Sequence, residues 1–367
     1  MVRIARFDFR RCGRLPSIAP HQPSTAMKRH ENPLRGWQVD RAAITRTGQD
    51  LQRPECILCE PDGTVWTADA RGVMRIDPDG MQTLVRQQSG EAGAERLLDA
   101  RSLVLGGSLP NGIAFDARGD LLIANFGTDA LELMTRQGES RTLHTHIDGR
   151  PLGKMNFVLT DSRGRIWFSV TTREVPWTKS INARTADGYV GLIDEHGIRI
   201  VAEGFVGTNE IRLDAAEEWL YVAETNARRI SRLRVQADGS LGPRETYGPE
   251  DLGGFPDGFA IDALGNLWIT LVLTERLIAL TPEGEVLVLL DDGNPPALAV
   301  YEQHYQAGTT TPELMAACRG TLAPMMASIA FGGPDLRTVY LGSLAGTTLP
   351  TFRSPVPGLP LSHWTAR

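Results

Sequence analysis

The stretch FPDGFAIDALGNLWIT, Phe255–Thr270, alternates turn signals with short apolar runs. Pro-Asp-Gly opens the first run, and a second turn at Asp262 to Gly265 separates it from the next. Turns rich in Asp, Gly and Pro between two apolar runs predict a β-hairpin. A turn that only reverses the chain does not require a carboxylate, yet Asp257 lies immediately before the first apolar strand.

The same pattern of a polar residue, an apolar strand, a turn and a second apolar strand occurs six times. The six segments are ECILCEPDGTVWTAD from Glu55, NGIAFDARGDLLIAN from Asn111, NFVLTDSRGRIWFSV from Asn156, NEIRLDAAEEWLYVAE from Asn209, DGFAIDALGNLWITL from Asp257 and SIAFGGPDLRTVYLGS from Ser328. Further strand-like stretches follow most of them, so each unit reads as four antiparallel strands. The starts lie 56, 45, 53, 48 and 71 residues apart. Periods near 40–50 with four strands per unit predict an all-β, six-bladed β-propeller.

The longest interval contains PPALAVYEQHYQAGTTTPELMAACRG, Pro295–Gly320. Its composition and the helix-start signal at Thr310 to Glu313 predict a helical insertion before the last blade. Such an insertion serves as a lid, as an oligomer contact or as a helix packed on the rim. We expect a disordered or peripheral N-terminal extension at 1–45, the propeller at 46–349 and an extended tail at 350–367. The tail closes the last blade, covers the channel or reaches a neighbouring subunit.

Composition limits the classes of partner. A net charge of -6 provides no basic surface for nucleic acid or an anionic membrane. No apolar run approaches the ~20 residues that a membrane span needs. Four cysteines, among them Cys56 and Cys59 in one apparent strand, do not form a disulfide framework. We therefore expect a reducing, cytoplasmic location and a small-molecule substrate, and a homo-oligomer stays open.

Equivalent residues on the innermost strands of a propeller form a ring at one end of its channel. Here the ring consists of oxygen-bearing side chains: Glu55, Asn111, Asn156, Asn209, Asp257 and Ser328. Converging carboxylate and amide oxygens suit a hard divalent cation, and such an ion would relieve the repulsion between two facing carboxylates. Asn and Asp before Gly are also ordinary turn residues, which is the alternative reading of any single motif.

These repeats resemble the senescence-marker-protein, gluconolactonase and luciferin-regenerating-enzyme family, which is related to paraoxonase. The resemblance extends from about Pro54 to Ser343 and includes the order of the blades. It implies one catalytic divalent metal ion, with a ligand set of Glu55, Asn156, Asn209 and Asp257. In the family, the residue that corresponds to Asn156 contacts the substrate or a metal-bound water.

The resemblance also implies substrate contacts. Lys154 lies where the family often has a substrate-contacting Arg, and Glu174 lies where it has an acid. Asn111 is an extra amide on the second blade, and we include it among the substrate-binding candidates.

Three residues depart from the family pattern. Cys56 and Glu210 stand where the family usually has Gly, and Phe157 stands where a sugar lactonase commonly has Asp. The residues implied as metal ligands match the family despite these changes. The residues expected around the substrate differ from those of the family. Phe157 is our fifth substrate-binding candidate, and it favours a less polar ligand than a free sugar lactone.

Hydrolysis of a lactone is the leading hypothesis. The ion would polarise the carbonyl and activate a water molecule, and Asp257 would act as the general base. Calcium is favoured by the oxygen ligands, while zinc, manganese and ferrous iron stay open. A lyase, isomerase or hydratase with the same site is one alternative, because a fold does not fix a reaction. A propeller that only binds a partner is the other.

Overall fold

The strands of the chain form a six-bladed β-propeller, in agreement with the sequence prediction. The structure is a computed structural model that describes residues 32–87 and 99–365. Within these residues, six four-stranded antiparallel sheets and one two-stranded hairpin are present. Residues 1–31 of the expected N-terminal extension lie outside the described residues.

The strands have the following bounds. They are β1 (Thr45–Thr47), β2 (Ile57–Cys59), β3 (Val65–Asp69), β4 (Gly72–Ile76), β5 (Gln82–Arg86), β6 (Pro110–Phe115), β7 (Leu121–Asn125), β8 (Ala130–Met134), β9 (Ser140–His144), β10 (His146–Ile147), β11 (Arg150–Pro151), β12 (Met155–Thr160), β13 (Ile166–Val170), β14 (Gly188–Asp194), β15 (Gly197–Phe205), β16 (Thr208–Leu213), β17 (Trp219–Glu224), β18 (Arg229–Arg234), β19 (Glu245–Tyr247), β20 (Phe255–Ile261), β21 (Leu267–Val272), β22 (Arg276–Leu280), β23 (Val286–Asp291), β24 (Met326–Gly332), β25 (Thr338–Ser343) and β26 (Leu349–Arg353).

Few helices interrupt the strands in the described residues. They are α1 (Ser102–Leu105), α2 (Pro295–Ala307), α3 (Pro312–Ala317) and α4 (Ser362–Thr365), with 3-10 turns at Arg41–Ala43 and Trp177–Ser180. Among the residues that the structure describes, no helix is both long and apolar enough to span a bilayer.

The blades close into a ring through their innermost strands. Each of β2, β6, β12, β16, β20 and β24 contacts the next in this order, and β24 contacts β2 again. The sixth blade takes its outermost strand from the start of the propeller, because β1 pairs with β26 in the register Thr45↔Thr351 and Thr47↔Leu349. Strand pairing thus extends to Thr45 and Arg353, on either side of the range 46–349, and the division into domains stays a prediction.

In three hairpin turns, an acidic side chain accepts a hydrogen bond from the indole of a tryptophan six residues later. Trp167 and Trp268 donate from Nε1 to the carboxylates of Asp161 and Asp262 at 2.9 and 3.0 Å, and Glu60 accepts in the same way at 2.6 Å. All three indoles, including that of Trp66, are fully buried. A buried polar group costs little free energy when it is hydrogen-bonded. The acid of the turn therefore allows a large indole to fill the core of the blade.

The helical insertion is confirmed. Tyr301 and Tyr305 of α2 pack edge-on against Phe255, with ring centroids 5.5 and 5.2 Å apart. Tyr305 also donates from its hydroxyl to Asn226 O at 2.5 Å. Because both tyrosines are buried, the helix is docked against the blades rather than projecting from them.

The tail crosses the other end of the channel. Leu359 N donates to Ile261 O at 2.8 Å, and Ser362 Oγ donates to Thr160 O at 2.8 Å. Trp364 Nε1 donates to Cys59 O at 2.7 Å. The three acceptors end the inner strands β20, β12 and β2, whereas the ring residues stand near the starts of those strands. The tail therefore lies across the inner strands at the end opposite the ring.

The Asp262–Trp268 pair gives a stability prediction. Asp262→Ala leaves a buried indole N–H without its acceptor, so we expect the free energy of unfolding to fall by about 2–4 kcal/mol. Urea denaturation at pH 7 measures it. Asp79→Ala, at an exposed turn where the carboxylate accepts only the backbone N–H of Met81, is the control and should cost about 1 kcal/mol or less. Equal losses in the two variants would contradict the role of the acid.

Candidate functional site

Irregular register at the starts of the inner strands brings the polar residues into the channel. The register in which β6 pairs with β7 shifts between Pro110 and Ile113. The same irregularity occurs at the starts of β12, β16 and β20. Asn111, Asn156, Asn209 and Asp257 all lie in these interruptions. A bulge adds a residue to one strand and turns its side chain away from the regular alternation. The sequence pattern thus produces the ring through repeated bulges rather than through plain strand ends.

One cavity at the channel mouth contains five of the six ring residues. Glu55, Asn111, Asn156, Asn209 and Asp257 all line it. Ser328, the sixth member of the ring, is not among the lining residues, and its Oγ hydrogen-bonds to the main-chain oxygen of Glu55. The cavity offers about 90 Å³ to the centres of water molecules.

Asn111 holds two charged groups in place. Its Nδ2 donates to Glu55 Oε1 at 3.2 Å and to Asn156 O at 3.0 Å, while its Oδ1 accepts from Arg53 Nη2 at 2.7 Å. With both amide atoms committed to protein partners, Asn111 acts on the site by positioning Glu55 and Arg53.

Arg53 is the cation that sequence reasoning missed. Its guanidinium is buried, lines the cavity and donates to Leu103 O and Pro110 O at 2.9 and 3.1 Å. The available signal was its position two residues before Glu55, the same offset that Lys154 has from Asn156. Arg53 adopts a left-handed backbone conformation (φ 57°), which is uncommon for a residue other than Gly.

The two carboxylates of the cavity disfavour each other's ionisation. Burial raises the pKa of Asp257 well above its ordinary range, and the charges of Glu55 and Glu210 raise it further. A hydrogen bond from Asn209 and the charge of Arg53 act in the opposite direction. Burial likewise raises the pKa of Glu55. Two acids and one guanidinium leave the cavity with one uncompensated negative charge when all three are ionised.

Two buried oxygen atoms of the cavity have no hydrogen-bond partner. They are Glu55 Oε2 and Asn156 Oδ1. Asn209 is fixed by its Nδ2, which donates to Thr225 Oγ1 at 3.0 Å. Within 32–87 and 99–365, no group of three or more His, Cys, Asp or Glu side chains is placed to hold a metal ion by itself. A cation here would therefore depend on amide oxygens beside Glu55 and Asp257, and these donors fit a hard divalent ion.

Two of the residues that depart from the family pattern, Glu210 and Phe157, are buried beside Arg212 and do not line the cavity. Glu210 is buried and forms an ion pair with Arg212, whose Nε also donates to Phe259 O at 3.1 Å. Burial raises the pKa of Glu210 to about 8, although the Arg212 guanidinium acts in the opposite direction. Phe157 is 2% exposed, lies 4.8 Å from the Arg212 guanidinium and does not line the cavity. The structure therefore places Phe157 in the core.

Lys154 and Glu174 line a neighbouring pocket instead of the central cavity. Lys154 Nζ is 2.8 Å from Asp129 Oδ1 and donates to Phe126 O at 3.1 Å. The two pockets share Val104 and Trp177 in their walls. Neither Lys154 nor Glu174 is brought together with the ring residues, so their predicted substrate contacts gain no geometric support.

Apolar side chains form most of the remaining wall of the cavity, together with Thr171, Thr225 and Asn226. The apolar residues come from segments far apart in the chain: Phe126, Trp177, Val272, Leu273, Tyr301 and Met315. The sequence pattern did not reveal them, because they lie at strand ends, in connecting segments and in the helical insertion, outside the repeated motif.

Fold and site together define a six-bladed propeller with an oxygen-rich, partly apolar pocket at one end of its channel. A family profile described as the SMP-30/gluconolactonase/LRE-like region matches residues 85–291, more than half of the chain. The chain belongs to this family.

Individual relatives are distant. The 6-deoxy-6-sulfogluconolactonase of Pseudomonas putida is 26% identical over 151 residues, which cover 41% of this chain and 42% of that protein. Among solved structures, a gluconolactonase from Xanthomonas campestris has a TM-score of 0.60 at 18% identity and covers 86% of this chain and 89% of its own. Regucalcin from Agrobacterium tumefaciens, described as a calcium-binding protein, has a TM-score of 0.59 at 17% identity, with 86% and 96% covered. The match to the Pseudomonas putida relative covers less than half of that protein. The two solved structures, at 18% and 17% identity, support the fold alone.

The Glu210–Arg212 pair gives a second stability prediction. Arg212→Met leaves a buried carboxylate without its partner, so we expect a loss of about 3 kcal/mol or more, and the added change Glu210→Gln should restore part of it. Arg234→Met breaks an exposed pair with Glu218 and should cost about 1 kcal/mol or less. Chemical denaturation of the four proteins measures the differences, and a small loss in Arg212→Met would contradict the importance of the buried pair.

Proposed function

We propose that this chain hydrolyses lactones with the help of one divalent metal ion bound by Glu55, Asn209 and Asp257, with Asn156 beside it. The observation that carries the proposal is the pair of buried, unpartnered oxygens, Glu55 Oε2 and Asn156 Oδ1, in a cavity whose two acids share one guanidinium. Membership of a family named for gluconolactonase supports the reaction class.

The donor set favours calcium. All the proposed ligand atoms are carboxylate or amide oxygens, which suit calcium better than the nitrogen and sulfur ligands typical of zinc. The description of the similar Agrobacterium regucalcin as calcium-binding supports the same choice. Manganese and ferrous iron are the alternatives that a metal titration separates.

When bound, the ion would polarise the ester carbonyl and lower the pKa of a water molecule. A positive charge at the ring would favour the ionised form of Asp257, against the burial that raises its pKa. The carboxylate of Asp257 would then accept the proton of the attacking water. Water adds to the carbonyl carbon, the ring C–O bond breaks, and a hydroxy acid is the product.

Arg53 and Asn156 would complete the site. The Arg53 guanidinium lines the cavity, and a fixed positive charge stabilises the oxyanion that develops on the carbonyl oxygen. Asn156 Oδ1 is free to accept a hydrogen bond from water or substrate. Asn111 keeps Arg53 and Glu55 in place through its hydrogen bonds to both.

Metal binding is the first test. Calorimetric titration of chelator-treated protein with Ca²⁺ should give one site per chain, and Glu55→Gln and Asp257→Asn should each weaken it at least about tenfold, since each removes a charged ligand. Asp335→Asn, which changes an exposed carboxylate paired with Arg353, should bind like the unaltered protein. The absence of any stoichiometric divalent ion would favour a propeller that only binds a partner.

Turnover by Asp257→Asn is the second test. The variant keeps the shape of the side chain but cannot accept the proton, so we expect kcat to fall at least about 10²–10⁴-fold on a lactone that the unaltered protein hydrolyses. Circular dichroism checks that the fold is intact, and Asp335→Asn is again the control. Substantial turnover by Asp257→Asn would contradict the assignment of the base. Identification of a hydroxy acid as product separates hydrolysis from lyase, isomerase or hydratase chemistry.

A further inference from the structure

Beyond the ring and Arg53, the threonine and amide side chains of the cavity wall are already hydrogen-bonded to the main chain. Thr171 and Thr225 donate to Thr208 O and Pro256 O, and Asn226 donates to Ser180 O. The indole nitrogen of Trp177 already has a protein partner, because Nε1 donates to Val104 O at 3.1 Å. Val272, Leu273 and Met315 contribute only hydrocarbon and thioether groups to the lining. A substrate in this space therefore meets polar partners at the ring and apolar surface elsewhere.

These walls are held in place by packing. The Trp177 ring stands edge-on to Phe126, with centroids 5.1 Å apart. Phe255 likewise packs against Tyr301 of α2, and an ion pair between Arg228 and Glu302 at 2.6 Å connects α2 to the blades. Rigid aromatic walls make a preformed pocket, which binds a matching ligand without the entropic cost of ordering the walls.

The size of the cavity favours a compact molecule. The 90 Å³ open to water centres holds about three water molecules, at ~30 Å³ each. That space favours a small ring over a bulky one. A polyhydroxylated ring of the same size would bring several hydroxyl groups against apolar walls, and a buried hydroxyl without a partner is unfavourable.

We propose that the preferred substrates are small lactones with an apolar substituent, rather than polyhydroxylated sugar lactones. The inference rests on the proposed function for its reaction, and on the apolar walls alone for its choice of substrate. The ester group lies toward Asp257 and Arg53, and the hydrocarbon part lies against Met315, Val272 and Trp177.

The first experiment compares binding without turnover. Calorimetry measures two six-membered lactams, the nitrogen analogues of δ-nonalactone and D-glucono-1,5-lactone, which are similar in size and differ in polarity. We expect the butyl-substituted lactam to bind at least about tenfold tighter. Equal or tighter binding of the hydroxylated lactam would overturn the inference, and so would the failure of both to bind.

The second experiment measures hydrolysis of the two lactones. We expect kcat/KM for δ-nonalactone to exceed that for the sugar lactone by at least about tenfold, and the reverse order would overturn the inference. If the butyl lactam binds more tightly but neither lactone is hydrolysed, the proposed reaction fails while the assignment of the pocket's ligand class stands.

Substitutions of the wall give the matched test. Met315→Gln keeps the length of the side chain, and Val272→Thr keeps its shape, while both place a polar group at the apolar wall. Each should raise KM for δ-nonalactone about tenfold, and so lower the ratio of kcat/KM for δ-nonalactone to kcat/KM for the sugar lactone. Met81→Gln is the control, since Met81 is 59% exposed and does not line the cavity. Unchanged KM values in both wall variants would overturn the inference.

Discussion

Two buried carboxylates and one buried guanidinium in the same small cavity are the constraint on which the site depends. Glu55 and Asp257 are held on blades 1 and 5, and each makes ionisation of the other less favourable. Arg53 compensates for one of the two charges. Asn111 fixes that arrangement by bonding to both Arg53 and Glu55. The charge that remains when both acids are ionised, together with the unpartnered oxygens, supports the proposal that the ring binds a cation, which would polarise a substrate carbonyl.

Much of this was predictable because the architecture repeats. Six in-register motifs predicted the six blades, and the composition of 295–320 predicted the helical insertion; both are confirmed. The same register brought Glu55, Asn111, Asn156, Asn209 and Asp257 into one cavity, because equivalent residues of a propeller face the same channel. Their roles as metal ligands and as base stay predictions, as do the cytoplasmic location and the oligomeric state.

The rest depends on tertiary packing, which the repeat does not encode. Arg53 precedes its motif by two residues and reaches the cavity through an unusual backbone conformation. Phe157 follows the ring residue Asn156 but is paired with Ser169 in the strand register, and its aromatic ring packs beside Arg212. Lys154 pairs with Asp129 and so remains in the neighbouring pocket. The apolar walls come from strand ends, connecting segments and α2–α3, which meet only in the folded chain.

The central claim is that the ring binds one divalent cation, and a crystal structure grown with calcium tests it most directly. The account predicts a single strong peak of electron density at the channel mouth, about 2.3–2.6 Å from oxygen atoms of Glu55, Asn209 and Asp257. Asn156 should lie beside the ion. A channel that contains only water at saturating calcium, or an ion bound away from Glu55 and Asp257, would contradict the account.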